Sequence, residues 1–565
     1  MPGSEMKRGL AGAWLLGVLC GFMLLSVISI ARARSGAPLD ATAIALQEQA
    51  EVLVQSDGGR VRGARIVWAE WMHEFYAQRS FKPAWTDPRT SVELLRALED
   101  SRLDGLDPND YHLSLLEQLR VEASAPAATD LVRAQFDLLQ TDALLRLGYH
   151  LLLGKVDPES FDAQWNYVRT LAHLDAGKEI EAALASADIY ARVEALKPKH
   201  PFYLALKNEL RRYREAAATT APALLPDGPT LKVGMRDARV PVLRMRLAAS
   251  GEQLTASPAS VELFDAELEA AVRRFQERMG LAADGAVGAG TRSELNVSIE
   301  QRILTLRVNL DRGRLLLHDL PARFVVVNIA SYLIYAVSGD TVIWKSRAQV
   351  GTAYQRTPIF RSHISYLVFN PTWTVPPGII ERDILPAARR DPQSITRRGL
   401  HVLDRGGRRI DPATIDWSQY RSGHIPYTLR QEPGPDNSMG RVKFMFPNSY
   451  SVYLHDTPAK QRFAAPERPF SSGCVRVENP LELAQLLLAD PNRWNDKTIG
   501  DTIASLRTQN VTLKERTPVL LTYWTAFVDE QGRANFRRDI YGQDALWAAG
   551  LNAEFRVRKR PLFDP

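Results

Sequence analysis

Apolar residues recur at spacings of three and four through much of the stretch from Leu46 to Arg214. Val132, Phe136, Leu139, Ala143 and Leu147 form one stripe and predict an amphipathic helix. Turn signals at Asp104-Gly105, Asp107-Pro108 and Asp157-Pro158 punctuate this helical region. The aromatic stretch Phe75-Tyr76 to Phe81-Lys82-Pro83-Ala84-Trp85 fits the buried side of such helices better than a ligand box. Ala216 to Pro229, rich in Ala, Thr and Pro, reads as a linker.

A shorter helical module follows, from Leu231 to about Asn296. Val240, Leu243 and Leu247 share one face of a helix that Gly251 ends. Asp265 can cap a second helix carrying Leu268, Val272, Phe275 and Met279 on one face, closed by Gly280. Asp284-Gly285 makes a turn before a third helix near Thr291–Leu295. From Phe324 the texture becomes β: Phe324–Ile329, Tyr332–Val337, Val342–Trp344, Ser451–Leu454 and Val519–Tyr523 read as strands. Gly378 to Arg441 interrupts them with Arg389-Arg390, Arg397-Arg398, Gly406-Gly407 and Pro433-Gly434-Pro435 and little strand pattern. Such an irregular insertion is expected to be either a lid or a surface excursion.

At the other end, Lys7 and Arg8 precede an uncharged run of 22 residues, Leu10 to Ala31. As a helix it spans about 33 Å, enough for a bilayer core and long for a cleaved signal. Ala31-Arg32-Ala33 still offers a small-x-small cleavage site, so the expectation is an uncleaved anchor, with a cleaved signal as the alternative. Arg32 and Arg34 balance Lys7 and Arg8, so charge does not settle orientation. The remaining composition is ordinary: 565 residues, 24% charged and 45% hydrophobic, which excludes disordered, collagenous and multi-span membrane chains. A net charge of +6 is small for this length and calls for no nucleic-acid partner. The chain holds 2 cysteines, Cys20 inside the apolar run and Cys474, which cannot make a disulfide framework.

Cys474 lies in Ser471-Ser472-Gly473-Cys474-Val475-Arg476-Val477, and His455 lies 19 residues upstream in Tyr453-Leu454-His455-Asp456-Thr457-Pro458. A thiol is a modest nucleophile until an imidazole takes its proton. Glycine before it permits a tight turn whose backbone N–H groups can converge on an oxyanion. From the counts alone a lone cysteine can equally be an inert buried hydrophobe. None of the 10 histidines forms His-Glu-x-x-His or a Cys/His zinc pattern, so no metal or cofactor is expected. The only Ser-x-x-Lys is Ser4 to Lys7, which leaves no serine-type penicillin-binding constellation.

The His455–Cys474 segment resembles the active-site motif of the L,D-transpeptidase (YkuD-type) catalytic domain. In that family a histidine is followed after some 14–17 residues by Ser/Thr-His-Gly-Cys, then Asn or Arg two positions on. Here 15 residues, Asp456 to Phe470, intervene; Ser472 replaces the motif's histidine and Arg476 stands at the last position. Asn370–Pro376, Asp539–Gly542 and the Phe75–Trp85 scaffold stretch with Asp104-Gly105-Leu106 resemble the large multi-domain branch of the same family. Ala271–Gln276 with Gly280-Leu281 and Asp284–Gly288 resembles the three-helix peptidoglycan-binding-like domain, whose alternative reading is a spacer without glycan affinity.

The resemblance implies a multi-domain α+β chain. Its parts are an N-terminal membrane helix (1–34), a mostly α-helical scaffold domain (40–225) and a small three-helix peptidoglycan-binding-like domain (230–298). A mainly-β catalytic domain (321–545) with a lid-like insertion (378–441) and a C-terminal tail (546–565) complete it. It implies that Cys474 is the nucleophile and His455 the general base and acid, oriented by the backbone C=O of Asp456. Gly473, with Ser472 as a helper, would supply the oxyanion contacts, and Arg476, Tyr453 and Trp373 would contact substrate. The expected activity is 3→3 cross-linking of peptidoglycan stems, a donor tetrapeptide and a diaminopimelate-type acceptor, through a thioester that carbapenems would also form. Hydrolysis by an L,D-carboxypeptidase or endopeptidase, and a silent wall-binding scaffold, stay open as alternatives. The expected setting is the periplasm, at the inner membrane, where cell-wall synthesis proteins are compatible partners.

Overall fold

The computed structural model describes residues 40–55, 59–162, 165–167, 175–218, 223–254, 260–420 and 425–557. The apolar run Leu10–Ala31 and Cys20 lie outside the described residues. Among the described residues no helix is long and apolar enough to cross a membrane. The chain is multi-domain α+β, helical in its N-terminal half and β-rich from residue 323 on, and it divides into two compact units.

The first unit comprises the described parts of Met1–Glu99, Pro108–Arg146 and Leu174–Arg192. It holds the helices Ala41–Gln55, Ala69–Gln78, Leu113–Ser124 and Ala176–Ser186, and a hairpin of β1 (Arg60–Val61) and β2 (Ala64–Arg65). Its aromatic stretch is core: Phe75, Tyr76 and Trp85 are buried. The buried Asp137 carboxylate gathers that core, accepting from the Tyr76 hydroxyl at 2.6 Å and from the Ala84 and Trp85 amides at 3.0 and 2.9 Å.

The second unit, Asp100–Asp107, Leu147–His173 and Val193–Pro565, holds everything else. Its small helical module follows the sequence pattern. The Asp265 side chain caps Ala266–Arg278 by accepting from the Leu268 amide at 2.9 Å, and Leu268, Val272 and Phe275 face inward. The helix Ile299–Leu316 comes next, with buried Asn309, Asp311, Arg312 and Arg314 among its apolar residues. No apolar stripe announces it, because from Val308 to Leu316 its polar and apolar positions alike are buried.

The β region is built on β3 (Arg323–Asn328), β4 (Leu333–Ser338), β5 (Thr341–Gly351) and β6 (Phe360–Phe369). To these the chain adds β11 (Val442–Met445), β12 (Leu454–His455), β13 (Pro469–Ser471), β14 (Val475–Val477) and β15 (Gln509–Thr522). Their order is β13-β5-β14-β12-β11-β6-β15-β3-β4, and β4 also pairs with β5, so the sheet closes on itself. One row of opposed residues, Val475, Leu454, Phe444, Leu367 and Val511, is buried in the core. Each such side chain contributes about 1.5–3 kcal/mol of burial. The strand at His455 is shorter than the pattern suggests. Ser451 has φ 57°, and the Asn448 side chain bonds the Tyr450 and Val452 backbone, so the extended run begins only at Leu454.

The insertion corrects the expectation of irregular chain. Between β6 and β11 it forms a sheet in the order β7-β10-β8-β9, from β7 (Trp373–Thr374), β8 (Leu400–Leu403), β9 (Arg409–Ile410) and β10 (Thr428–Gln431). Val375, Ile384, Leu385, Ile395, Val402, Trp417 and Leu429 make it a core of its own. Its strands run only two to four residues, too short for alternation to register between charged doublets. A last hairpin, β16 (Ala526–Val528) with β17 (Ala534–Phe536), precedes the helix Gln543–Asn552. Trp547 and Leu551 of that helix are buried, in a stretch that the sequence assigns to a tail.

Candidate active site

Register decides which side chains meet. Gln349 on β5 opposes Arg476 on β14, Arg476 opposes His455 on β12, and His455 opposes Lys443 on β11. Opposed residues share a face, and side chains two apart along a strand return to it. Tyr453 and Cys474 precede their strands by one residue and join this group by contact: the Tyr453 ring lies under Lys443 Nζ, and Cys474 feels the charges of Lys443 and Arg476. The structure brings together the sequence-predicted Cys474, His455, Arg476 and Tyr453, and adds Lys443 and Gln349, which sequence reasoning missed.

His455 is 2% exposed, and its Nδ1 lies 2.5 Å from the backbone carbonyl of Asp456. A carbonyl only accepts, so Nδ1 carries the proton and Nε2 is left as the ring's proton acceptor. Burial, then the positive charges of Arg476 and Lys443, pull the imidazole down to about 3, so it is neutral at ordinary pH. Burial pushes the Cys474 thiol up, against the Tyr453 backbone amide and the charges of Lys443 and Arg476. Sγ lies 3.9 Å from the Ser451 carbonyl. The imidazole is thus neutral, and burial favours the thiol over the thiolate.

The Asp456 carboxylate is equally buried. Although burial pushes it up, it is held below the ordinary carboxylate range by Lys460 Nζ at 2.7 Å and the Arg441 amide at 2.9 Å. That anchoring fixes the carbonyl that holds His455.

The turn before the thiol is fastened at each residue. Gly473 has φ 110°, a conformation that side-chain-bearing residues rarely adopt. Its N–H donates to Ser471 Oγ at 3.2 Å, Ser471 Oγ–H donates to the Cys474 carbonyl, and Thr357 Oγ1–H donates to the Gly473 carbonyl at 2.8 Å. The Tyr541 hydroxyl donates to the Gly351 carbonyl at 2.8 Å and accepts from the Thr357 amide at 3.0 Å, so the Asp539–Gly542 motif braces this turn from behind. Beside the turn lies a cavity of about 530 Å³ lined by Arg356, Tyr450, Ser472 and Gly473.

Ser472 Oγ accepts from Arg382 of the insertion at 3.1 Å. Arg382 sits in the π-helical turn Ile380–Ile384 and pairs with Asp383, and no sequence signal pointed to it. Arg476 donates to Gln349 Oε1 at 3.3 Å, its buried Nε has no partner, and no carboxylate lies within ion-pair distance of it among the described residues. Lys443 Nζ sits 3.8 Å over the Tyr453 ring, likewise without a carboxylate among the described residues. Trp373 belongs instead to the insertion's small sheet, lining a cavity of about 370 Å³ with Asp383, Arg398 and Gln431. Among the described residues no group of three or more His, Cys, Asp or Glu could hold a metal ion.

A half-buried thiol and a buried imidazole at neighbouring strands of one sheet, with cations beside them that no carboxylate neutralises, can carry the chemistry of a cysteine acyltransferase or hydrolase. Residues 322–520 match the family described as "L,D-transpeptidase catalytic domain", residues 236–295 the "Putative peptidoglycan binding domain" and residues 70–210 the "Scaffold domain". The chain carries a YkuD-type L,D-transpeptidase catalytic domain together with a peptidoglycan-binding domain and a scaffold domain. A curated relative from Haemophilus influenzae, named "Putative L,D-transpeptidase", is 40% identical over 221 residues, 39% of this chain and 44% of the relative. The N-acetylmuramoyl-L-alanine amidase CwlM of Mycobacterium tuberculosis is 44% identical over 72 residues, 12% of this chain and 18% of its own. The chain thus spans less than half the length of either relative. A solved L,D-transpeptidase (residues 123–326) from Xylanimonas cellulosilytica aligns at 16% identity, covering 53% of this chain and 99% of that one. Its TM-score is 0.17, too low to bear on the fold.

Proposed function

We propose that this chain is a cysteine-dependent L,D-transpeptidase that joins peptidoglycan stem peptides by 3→3 cross-links. The observation that carries the reading is the His455 ring, held through Nδ1 by the Asp456 carbonyl so that Nε2 is its acceptor, in the group that Cys474 joins. His455 Nε2 takes the thiol proton as Sγ attacks the carbonyl of the third stem residue, typically meso-diaminopimelate. The Cys474 N–H, and the Gly473 N–H once it leaves Ser471 Oγ, receive the developing oxyanion, with Ser472 alongside. The bond to D-Ala then breaks, the imidazolium returns its proton to the departing amine, and the thioester remains. The side-chain amine of a second stem attacks that thioester, His455 removes its proton, and the thiol is regenerated.

Arg476 is assigned to a stem carboxylate, because its guanidinium lacks an acidic partner and suits bidentate pairing. Tyr453 belongs to the same group. Trp373 contacts substrate only as part of the insertion, which we assign as a lid latched by Arg382 to Ser472. The run Leu10–Ala31 is assigned as an uncleaved anchor in the inner membrane, which leaves the described residues in the periplasm with the wall. A carbapenem is expected to add a single adduct mass to the intact chain, mapped by peptide sequencing to Cys474. An adduct on another residue refutes the site, and hydrolysed tetrapeptide without cross-linked product would convert the reading to an L,D-carboxypeptidase.

A further inference from the structure

A second cavity, of about 500 Å³, opens where the peptidoglycan-binding module meets the β domain. Gly280 and Leu281 of the module line it, with Tyr332 after β3 and Arg537 after β17. Four carboxylates also border it, and each is matched. Glu294 pairs with Arg302 at 2.7 Å, Glu467 with Arg538 at 2.6 Å and Asp544 with Arg312 at 2.7 Å, while Asp539 accepts from the Tyr523 hydroxyl at 2.7 Å.

Two groups are not matched. Arg537 donates through Nη1 to the carbonyls of Arg278 and Phe536, at 2.6 and 2.7 Å, and its guanidinium lies 4.9 Å from the Phe527 ring centroid; Glu294 acts on it from farther off, but no carboxylate is within ion-pair distance among the described residues. Burial, and the positive charge of Arg468 nearby, pull its guanidinium down to about 10. Tyr332 is 4% exposed, yet its hydroxyl has no hydrogen-bond partner. A buried polar atom left unpaired is costly, and the half-buried Arg537 keeps its charge without a paired carboxylate.

The backbone is strained at one of the two groups. Tyr332 holds φ 56°, a left-handed conformation that strains a bulky residue. Arg468 Nη2 donates to the Tyr332 carbonyl at 3.0 Å, and its guanidinium lies 5.3 Å from the ring centroid. Arg468 too lacks a carboxylate within ion-pair distance among the described residues, although it is 7% exposed. Gly280 makes room: a Cβ there would stand 2.7 Å from Arg537 Cδ.

We propose that this cavity is a second peptidoglycan site, in which Arg537 and the Tyr332 hydroxyl receive the carboxylate of a stem peptide. The Nε–Nη2 edge of Arg537, which the backbone carbonyls leave open, matches a planar carboxylate, and the phenol adds a third donor. The site rests on the reading that the chain acts on peptidoglycan. It holds wall material through a contact shared by the module and the β domain, and no residue of the Cys474 row lines it.

The test is equilibrium binding of a disaccharide-tetrapeptide to the full chain carrying Cys474→Ala, which can bind but not react. Two molecules per chain are expected. Adding Tyr332→Phe or Arg537→Met should weaken one of the two sites by about tenfold, whereas amidating the stem carboxylates should weaken both, one through Arg537 and the other through Arg476. In the Cys474 parent background neither substitution should alter the rate of carbapenem acylation. One molecule per chain, unchanged by both substitutions, overturns the proposal, and so does equal binding of the amidated ligand. Inorganic phosphate displacing the ligand as well as acetate does overturns the carboxylate assignment. A chain that fails to acylate but keeps a Tyr332- and Arg537-dependent site upholds this proposal while refuting the catalytic reading.

Discussion

Two groups of buried polar residues in the second unit solve the same problem in opposite ways. In the first, Asp104 accepts Lys197 at 2.6 Å, Lys207 at 3.0 Å and the Tyr203 hydroxyl at 3.0 Å. Its neighbour Asp311 takes Arg314 at 2.7 Å, the Lys155 and Val156 amides at 2.8 and 3.1 Å, and Trp547 Nε1 at 2.9 Å. Each carboxylate there has cations and donors around it. In the second, along the Cys474 row, Arg476 and Lys443 have no carboxylate, the imidazole is neutral and burial favours the thiol. Burial alone does not mark function. The first group spends its charges on holding helices together, whereas the second leaves them open for a substrate.

The contrast can be broken most forcefully at Asp311. Asp311→Ala leaves Arg314 buried without its partner and should cost about 3–5 kcal/mol in chemical denaturation. Activity should disappear only as the chain unfolds. An unchanged denaturation midpoint would erase the distinction between the two groups.

Arg476→Gln tests the other side. It should lower kcat/KM for a tetrapeptide donor by about ten- to a hundredfold, the weight of a hydrogen bond to a charged group. The denaturation midpoint should hold, and a donor with its stem carboxylate amidated should lose as much with the parent chain. A stability loss as large as that of Asp311→Ala would make Arg476 structural.

A further effect concerns pH. The folded chain keeps His455 neutral down to about 3, whereas the unfolded imidazole takes a proton near 6.5. The folded state therefore binds fewer protons between those values, and stability falls as pH drops through that window. The loss is about 1.4 kcal/mol per pH unit from this group. His455→Asn should flatten the dependence between pH 6.5 and 5 by that amount. Parallel slopes in urea denaturation would contradict the neutral, buried imidazole.

Much of this was legible in the residues and some was not. The Asp265 cap and the apolar face Leu268–Phe275 were readable because capping and a 3.6-residue period are local. The spacing of His455 and Cys474 carried the family resemblance. Lys443 and Gln349 were invisible, because they join the row only through the register of β11 and β5, which no local pattern encodes. Arg382 was hidden for a similar reason: its reach to Ser472 depends on how the insertion folds. The insertion's own core escaped because its strands are too short to show a period, and the helix Ile299–Leu316 because its second half, Val308–Leu316, is buried on every side.

The central claim is transfer through Cys474, and analysis of muropeptides by mass tests it most directly. Incubating the full chain with tetrapeptide stems should yield a dimer joined by a 3→3 bond with release of D-Ala, and Cys474→Ala should yield none. Dimer formed by Cys474→Ala at the parent's rate would contradict the account.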